Sequence, residues 1–355
     1  MSDGPLPFPP PDLPVVEVLP ELQGALGREG SAVLVAPPGA GKTTLAPLAL
    51  LDAPWVGKKK ILMLEPRRLA TRAAARRMAQ LLGEDDAGGT VGYRIRMDTR
   101  VSARTRVEVV TEGVLTRMLQ SDPALSQVAC VVFDEFHERS IHADTGMALA
   151  LQCRELLRDD LRILVMSATL DAEPVAGILG DGEPAPVVRS EGRMFPVETF
   201  WRDTPVEGWI EPPTVGTVLQ ALDEEEGDVL VFLPGAGEIR RTAERLEEAG
   251  VPRDVTVHPL YGNLSRDDQD RAIRPSPPGR RKVVLATAIA ETSLTIEGVR
   301  VVVDAGLMRV PRFDPGTGMT RLETIRVTRD AADQRRGRAG RLESGVCYRL
   351  WTRGE

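Results

Sequence analysis

Short apolar runs alternate along this chain with longer segments of helical period, and that alternation restricts the fold more than any other feature. Ser31–Ala36, Ile61–Leu64, Val107–Val110, Val128–Phe133 and Arg162–Met166 read as buried strands. Leu69–Leu82, rich in Ala and Arg, reads as a helix between two of them. Strands buried on both faces and separated by helices form parallel sheets, so the fold class is α/β. Gly180–Pro196 is rich in Gly and Pro and breaks the rhythm. A second set follows: Val229–Leu233, Val255–His258, Lys282–Thr287 and Val299–Asp304 as strands, Ala236–Ala249 and Leu264–Arg274 as helices. Met308–Phe313 and Met319–Thr324 flank the turn residues Asp314–Gly318, which predicts a β-hairpin with a longer loop. The expected organisation is a proline-rich tail over 1–13, a first domain over 14–185 and a second over 186–355.

A chain of 355 residues suits about two domains. Its formal charge of −7 excludes a general basic coat for nucleic acid but leaves room for a local basic groove. Cys130, Cys153 and Cys347 lie far apart, without metal-ligand spacing, which points to a reduced, cytoplasmic compartment. No apolar run reaches the roughly 18 residues of a membrane span. Pro5, Pro7, Pro9, Pro10, Pro11 and Pro14 stand where a signal peptide would carry its apolar core, so the tail is expected to be extended or disordered.

Ala36-Pro37-Pro38-Gly39-Ala40-Gly41-Lys42-Thr43 nearly matches a P-loop, with Ala36 in place of the first Gly. A strand leads in and a helix follows from Gly41, so the backbone N–H groups of Gly39, Ala40, Gly41, Lys42, Thr43 and Thr44 can cradle phosphate. Lys42 supplies charge to the β- and γ-phosphates, and the Thr43 hydroxyl can ligate Mg²⁺. The competing reading, a Gly-rich turn before an ordinary helix, is disfavoured by what lies downstream. Cys130–Phe133 delivers Asp134 and Glu135 to a strand end, the edge that faces ligands in open α/β sheets. Asp134 suits a Mg²⁺ contact, and Glu135 is placed to orient and deprotonate an attacking water. Near the C-terminal end, Gln334-Arg335-Arg336-Gly337-Arg338-Ala339-Gly340-Arg341 crowds four arginines together. Arg338 and Arg341 are three apart and would share a helix face. Arginine suits bidentate contact with phosphate oxygens.

Read in order, these segments resemble the DEAH/RHA helicases, in a wording close to a bacterial branch of that family, from about Leu13 to the C-terminus. The resemblance implies two tandem RecA-like P-loop NTPase domains, each a mostly parallel sheet flanked by helices, with a β-hairpin in the second. It implies a nucleotide site that closes between them, with Arg338 and Arg341 as arginine fingers and Gln334 at the γ-phosphate. Asp134-Glu135-Phe136-His137 is the family's DExH form. His137 is then read as linking the nucleotide site to the neighbouring domain, against the plainer reading of a helix cap. Glu65–Ala70 resembles motif Ia, Val91–Arg96 the hook-turn and Thr111–Leu115 motif Ib, which implies backbone-phosphate contacts from Arg68, Arg96 and Thr111. Ser167-Ala168-Thr169 resembles motif III, whose hydroxyls couple hydrolysis to domain movement; capping of the next helix is the competing role for Ser167 and Thr169. Phe232–Gly235 resembles motif IV and Thr287–Thr295 motif V. Gly235, Thr287 and the hook-loop residue Arg309 are the implied strand contacts of the second domain. Arg77 is implied at the base and Glu297 near the ribose.

The chain departs from the family where Ala288 replaces an Asn and where Ala272-Ile273-Arg274 lacks the aromatic that sandwiches the base. ATP with Mg²⁺ is the expected cofactor pair, and other NTPs are admitted because base stacking should be weak. The expected partner is single-stranded RNA or a duplex with a 3′ overhang, with DNA as an alternative, bound by a monomer. The activity implied is an ATP-dependent RNA helicase core of 3′→5′ polarity. A translocase or RNP remodeller that unwinds little, and a non-catalytic nucleotide-switch scaffold, are the rivals. Intact Lys42, Glu135, Gln334, Arg338 and Arg341 argue against the scaffold. Longer family members continue into winged-helix and ratchet-like domains, so a chain ending at Glu355 is expected to hydrolyse ATP slowly and unwind poorly.

Overall fold

The structure of the protein is a computed structural model that describes residues 11–168, 171–192, 195–291, 296–341 and 343–355. Its contacts divide the chain into two compact units, Met1–Arg193 and Met194–Glu355.

The first unit runs α1 (Leu19–Glu29), β1 (Ser31–Val35), α2 (Lys42–Ala49), β2 (Lys60–Leu64), α3 (Arg68–Leu81), β3 (Val91–Ile95), β4 (Asp98–Arg100), β5 (Val107–Val110), α4 (Glu112–Ser121), β6 (Val128–Phe133), α5 (Ile141–Leu156), β7 (Arg162–Ser167), α6 (Glu173–Leu179) and β8 (Val187–Arg189). The strands form one sheet in the order β4-β3-β5-β2-β6-β7-β1-β8, parallel except for β4 at one edge. Every residue of β1, β5 and β6 is buried, as their unbroken apolar wording requires. The period of two sorts their side chains: Ala32, Leu34, Ile61 and Met63 pack with α1, α2 and α3, and Val33, Val35, Leu62 and Leu64 with α4, α5 and α6. The strand at Val187–Arg189 pairs with Val33–Val35, so this segment joins the first sheet, beyond the expected boundary at 185.

The second unit runs β9 (Val197–Trp201), α7 (Glu211–Glu224), β10 (Asp228–Phe232), α8 (Ala236–Ala249), β11 (Val255–Leu260), α9 (Arg266–Ile273), β12 (Arg281–Ala286), β13 (Val299–Asp304), β14 (Leu307–Asp314), β15 (Met319–Arg326), α10 (Arg329–Arg336) and β16 (Gly345–Arg349). Six strands form a sheet in the order β11-β12-β10-β13-β16-β9, every pairing parallel. β14 and β15 form the separate antiparallel hairpin read from the sequence. Its turn is tied by Asp314, which accepts from Gly316 N at 2.9 Å through Oδ1 and from Gly318 N at 2.9 Å through its carbonyl. The expected tail over 1–13 lies outside the described residues as far as residue 10.

Candidate nucleotide site and strand-binding edge

The phosphate-loop segment leaves β1 through Ala36, whose N–H donates to Ser167 O at the end of β7 (3.0 Å). Gly39 and Gly41 then take φ of 87° and 93°, the left-handed region that glycine enters without a Cβ penalty. A Cβ at Gly41 would meet Leu13 Cδ1 at 2.9 Å and Val15 Cγ1 at 3.3 Å, so the turn is pressed against these two side chains. Gly41 caps α2, which leaves the N–H groups of its first turn pointing out of the helix end. Lys42 and Thr43 open that helix, and Lys42 is buried.

Asp134 and Glu135 leave the C-terminal end of β6, the neighbour of β7, which in turn neighbours β1. Glu135 has φ of 49°, an uncommon conformation for a residue with a side chain. It brings Glu135 Oε1 to 3.1 Å from Lys42 Nζ, a pair with only 4% and 6% side-chain exposure. Asp134 Oδ1 accepts from Glu135 N at 2.8 Å. Its Oδ2 is buried with no hydrogen bond of ordinary length, although the Thr43 hydroxyl is near enough to hold its pKa down. Burial, and then the Glu135 charge, push Asp134 up to about 6 against the opposing pull of Lys42 and Thr43. A buried carboxylate oxygen beside a hydroxyl is the donor set Mg²⁺ takes when water and phosphate supply its other ligands, so the residues fit that ion.

His137 sits in a short 3-10 turn, Phe136–Glu138. Its Nδ1 accepts from Ala168 N at 3.3 Å and lies 3.4 Å from Glu135 Oε2. A ring nitrogen that accepts the amide N–H has no proton for the carboxylate, so the amide bond describes a neutral ring protonated on Nε2. Burial lowers the pKa of His137, which agrees with that form. His137 therefore reaches the Ser167-Ala168 segment. Ser167 does not cap the next helix: Ala172 stands at the N-cap of α6 with no side-chain cap. Thr169 lies outside the described residues.

The remaining first-unit residues emerge from the same edge of the sheet. Arg68 opens α3 after β2, Thr111 is the N-cap of α4 after β5, and Arg96 follows β3. Arg68 Nη2 donates to Arg96 O at 3.3 Å. Glu112 Oε1 accepts from Ser140 Oγ at 2.6 Å, which ties the start of α4 to the start of α5. Arg67 pairs with Glu138 at 3.1 Å. The C-terminal edge of one sheet thus carries the Arg96, Thr111 and Arg68 positions over β3-β5-β2 and the phosphate-loop, acid-pair and Ser167 positions over β6-β7-β1. Arg77 is exposed on α3.

In the second unit, Gly235 follows β10, Thr287 follows β12 and Arg309 lies on β14. A Cβ at Gly235 would overlap the Arg309 guanidinium, so these two positions are in contact. Arg309 Nη2 donates to Glu238 Oε1 at 3.1 Å. Glu297 precedes β13, whereas Thr287 follows the parallel strand β12, so they stand at opposite edges of the sheet. Arg338 and Arg341 do not share a helix face: α10 ends at Arg336, Arg338 lies in the turn that follows, and Arg341 in the bend after it. Gly340 presses that segment against the backbone, since a Cβ there would meet Phe195 O at 2.6 Å. Arg338 is buried and donates from Nε to Glu291 O at 2.9 Å.

Residues 17–177 match the DEAD/DEAH box helicase family, and residues 214–343 match the helicase conserved C-terminal domain. The chain is 53% identical over 338 residues to the ATP-dependent RNA helicase HrpB of Escherichia coli (strain K12), covering 95% of this chain and 41% of that protein. The crystal structure of the Escherichia coli DEAH/RHA helicase HrpB superposes with a TM-score of 0.88 and 53% identity, over 97% of this chain and 43% of that one. The chain belongs to the DEAH/RHA helicases. It is also 35% identical over 347 residues to a HrpA homologue of the same family name, ATP-dependent RNA helicase, from Haemophilus influenzae, over 97% of this chain and 26% of that protein. The chain spans less than half the length of these DEAH/RHA relatives.

Within this DEAH/RHA chain, sequence reasoning passed over one buried group. Arg335, 1% exposed, pairs with Asp304 at 2.8 Å, lies 3.6 Å from Glu291 and sits over the Phe232 ring at 5.0 Å. It contacts the residue whose carbonyl holds Arg338. Its place inside the Arg-rich octad was the available signal. No helix among the described residues is long and apolar enough to cross a membrane.

Proposed function

We propose that this chain is the NTP-hydrolysing motor core of an RNA helicase that moves 3′→5′ on a single strand. The observation that carries the reading is the pairing of Lys42 with Glu135 on the same sheet edge as the Arg68–Arg96 contact. The α2 N-terminus and Lys42 bind the phosphates of ATP, and other NTPs are accepted because the second unit offers no aromatic at Ala272–Arg274. Thr43 and Asp134 hold Mg²⁺, which supplies positive charge to the phosphate oxygens. When Lys42 turns to phosphate it releases Glu135, which then orients and deprotonates the attacking water. Gln334, Arg338 and Arg341 act on the γ-phosphate, and Arg77 and Glu297 meet the base and ribose. His137 and Ser167, with Thr169, pass the state of the nucleotide to the rest of the domain.

Arg68, Arg96, Thr111, Gly235, Thr287 and Arg309 hold the sugar-phosphate backbone of RNA, which makes binding tolerant of sequence. The chain works as a monomer in the cytoplasm. NTP turnover measured with and without single-stranded RNA, beside strand displacement on a duplex with a 3′ overhang, tests the reading. Turnover stimulated by RNA together with displacement is expected. Turnover without displacement would make the chain a translocase or remodeller, and absence of turnover would make it a scaffold.

A further inference from the structure

α4 packs on one face of the first sheet, beside β2, β3 and β5. An open groove of about 680 Å³ lies there, between the sheet face and α4. Strand alternation turns Lys60, Leu62, Arg94 and Glu108 toward it. The buried Glu108 neutralises two of the cations, Lys60 at 3.2 Å and Arg94. The side chains of Arg96 and Arg117, at its rim, make no ion pair among the described residues. Met118 lines the groove from α4, and Met97, at φ 64° and 95% exposed, stands at its mouth.

The groove therefore combines a mixed floor, in which Leu62 lies beside the paired Lys60, Arg94 and Glu108, with two thioethers and two guanidinium groups outside any ion pair among the described residues. Leu62 and Met118 offer apolar contact and Arg96 and Arg117 offer cations within one groove, the two kinds of group that a base and its flanking phosphates need. The groove is continuous with the proposed strand path through Arg96, whose carbonyl holds Arg68. We propose that it is a subsite for single-stranded nucleic acid, seating one unstacked base with its flanking phosphates on Arg96 and Arg117.

This inference rests on the strand-binding reading above and extends it beyond the Arg68–Thr111 edge. Its test uses the full chain and oligouridylates of increasing length carrying a terminal 2-aminopurine. Wild type should gain affinity, by about fivefold or more, at the length that first reaches the groove, and the fluorophore should change intensity there. Arg117→Ala, which removes the cation, and Met118→Trp, which fills the slot, should each abolish the gain while leaving the affinity for the shortest bound strand unchanged. A gain retained in both variants overturns the inference alone. No binding by wild type at any length overturns it together with the reading it rests on. Weakened binding of short strands by both variants also overturns it, because the groove would then be part of the fold's support for the edge.

Discussion

Lys42 Nζ stands 3.1 Å from Glu135 Oε1, and the two side chains neutralise each other inside the first unit. The same two groups are those proposed to bind phosphate and to activate water. Each holds the other in place until a nucleotide competes for the ammonium. A buried pair of this kind costs little while it is intact and a great deal when one partner is removed.

Lys42→Ala should therefore lower the stability of the chain by about 3 kcal/mol, by stranding the Glu135 carboxylate. The double variant Lys42→Ala/Glu135→Ala should recover most of that loss. Urea titrations of the three proteins measure both effects, and additive losses in the double variant would mean that the pair is not formed.

Glu135→Gln should leave nucleotide binding within a few fold of wild type and lower turnover by about 100-fold or more. The amide keeps the shape and a hydrogen bond to Lys42 but cannot take a proton. Single-turnover hydrolysis at the wild-type rate would remove Glu135 from the role of base.

Asp134 carries a folded-state pKa of about 6, above its ordinary 3.8, so the native state holds its proton more tightly than the unfolded chain. The relative stabilisation from that proton is complete below the unfolded value and is lost as pH rises through about 6. Without nucleotide, Asp134→Asn should melt above wild type at pH 8, and the difference should shrink as pH falls from 7 to 4. A difference independent of pH would show that Asp134 does not titrate in this window.

Arg335→Met should destabilise the second unit by about 3 kcal/mol or more, because Asp304 would be left buried beside a neutral chain. Arg335→Lys should not restore it fully, since one ammonium cannot reproduce a planar group that reaches Asp304 and lies over Phe232. Thermal melts of both variants decide this, and a wild-type melting temperature in either would contradict it.

Arg309→Ala should weaken binding of all single-stranded sequences alike and reduce the slope of log affinity against log salt by about 0.7, the loss of one phosphate contact. Filter binding at four salt concentrations measures it. A change in base preference would instead make Arg309 a reader of bases.

Much of the α/β reading follows from local wording. β1, β5 and β6 are unbroken apolar runs, and their burial on both faces leaves them no other place than the interior of a parallel sheet. The hairpin was equally legible because turn residues at Asp314–Gly318 interrupt two strand-like runs. β9 and β16 were harder to see: β9 alternates intermediate and exposed positions at a sheet edge, so its period carries little contrast. Within Val91–Arg96, the segment that resembles the hook-turn, the first five residues form β3 in register with Val107–Val110, and Arg96 opens the turn to β4.

The sequence by itself determined the order of chemical groups: a Gly-rich turn between a strand and a helix, an acid pair at a strand end, and an Arg-rich octad. Those are short-range facts, because φ preferences, apolar period and turn chemistry act over a few residues. Only the tertiary structure decided which of these groups meet. Lys42 reaches Glu135 because β6 and β1 flank β7, an order that no local period encodes. Arg338 leaves the helix face that its spacing suggests because α10 stops at Arg336, and the segment beyond it is held by the Glu291 carbonyl and the close approach of Gly340 to Phe195. Glu108 neutralises Lys60 and Arg94 for the same reason, so that charge counted along the chain did not reveal which cations the fold leaves uncommitted.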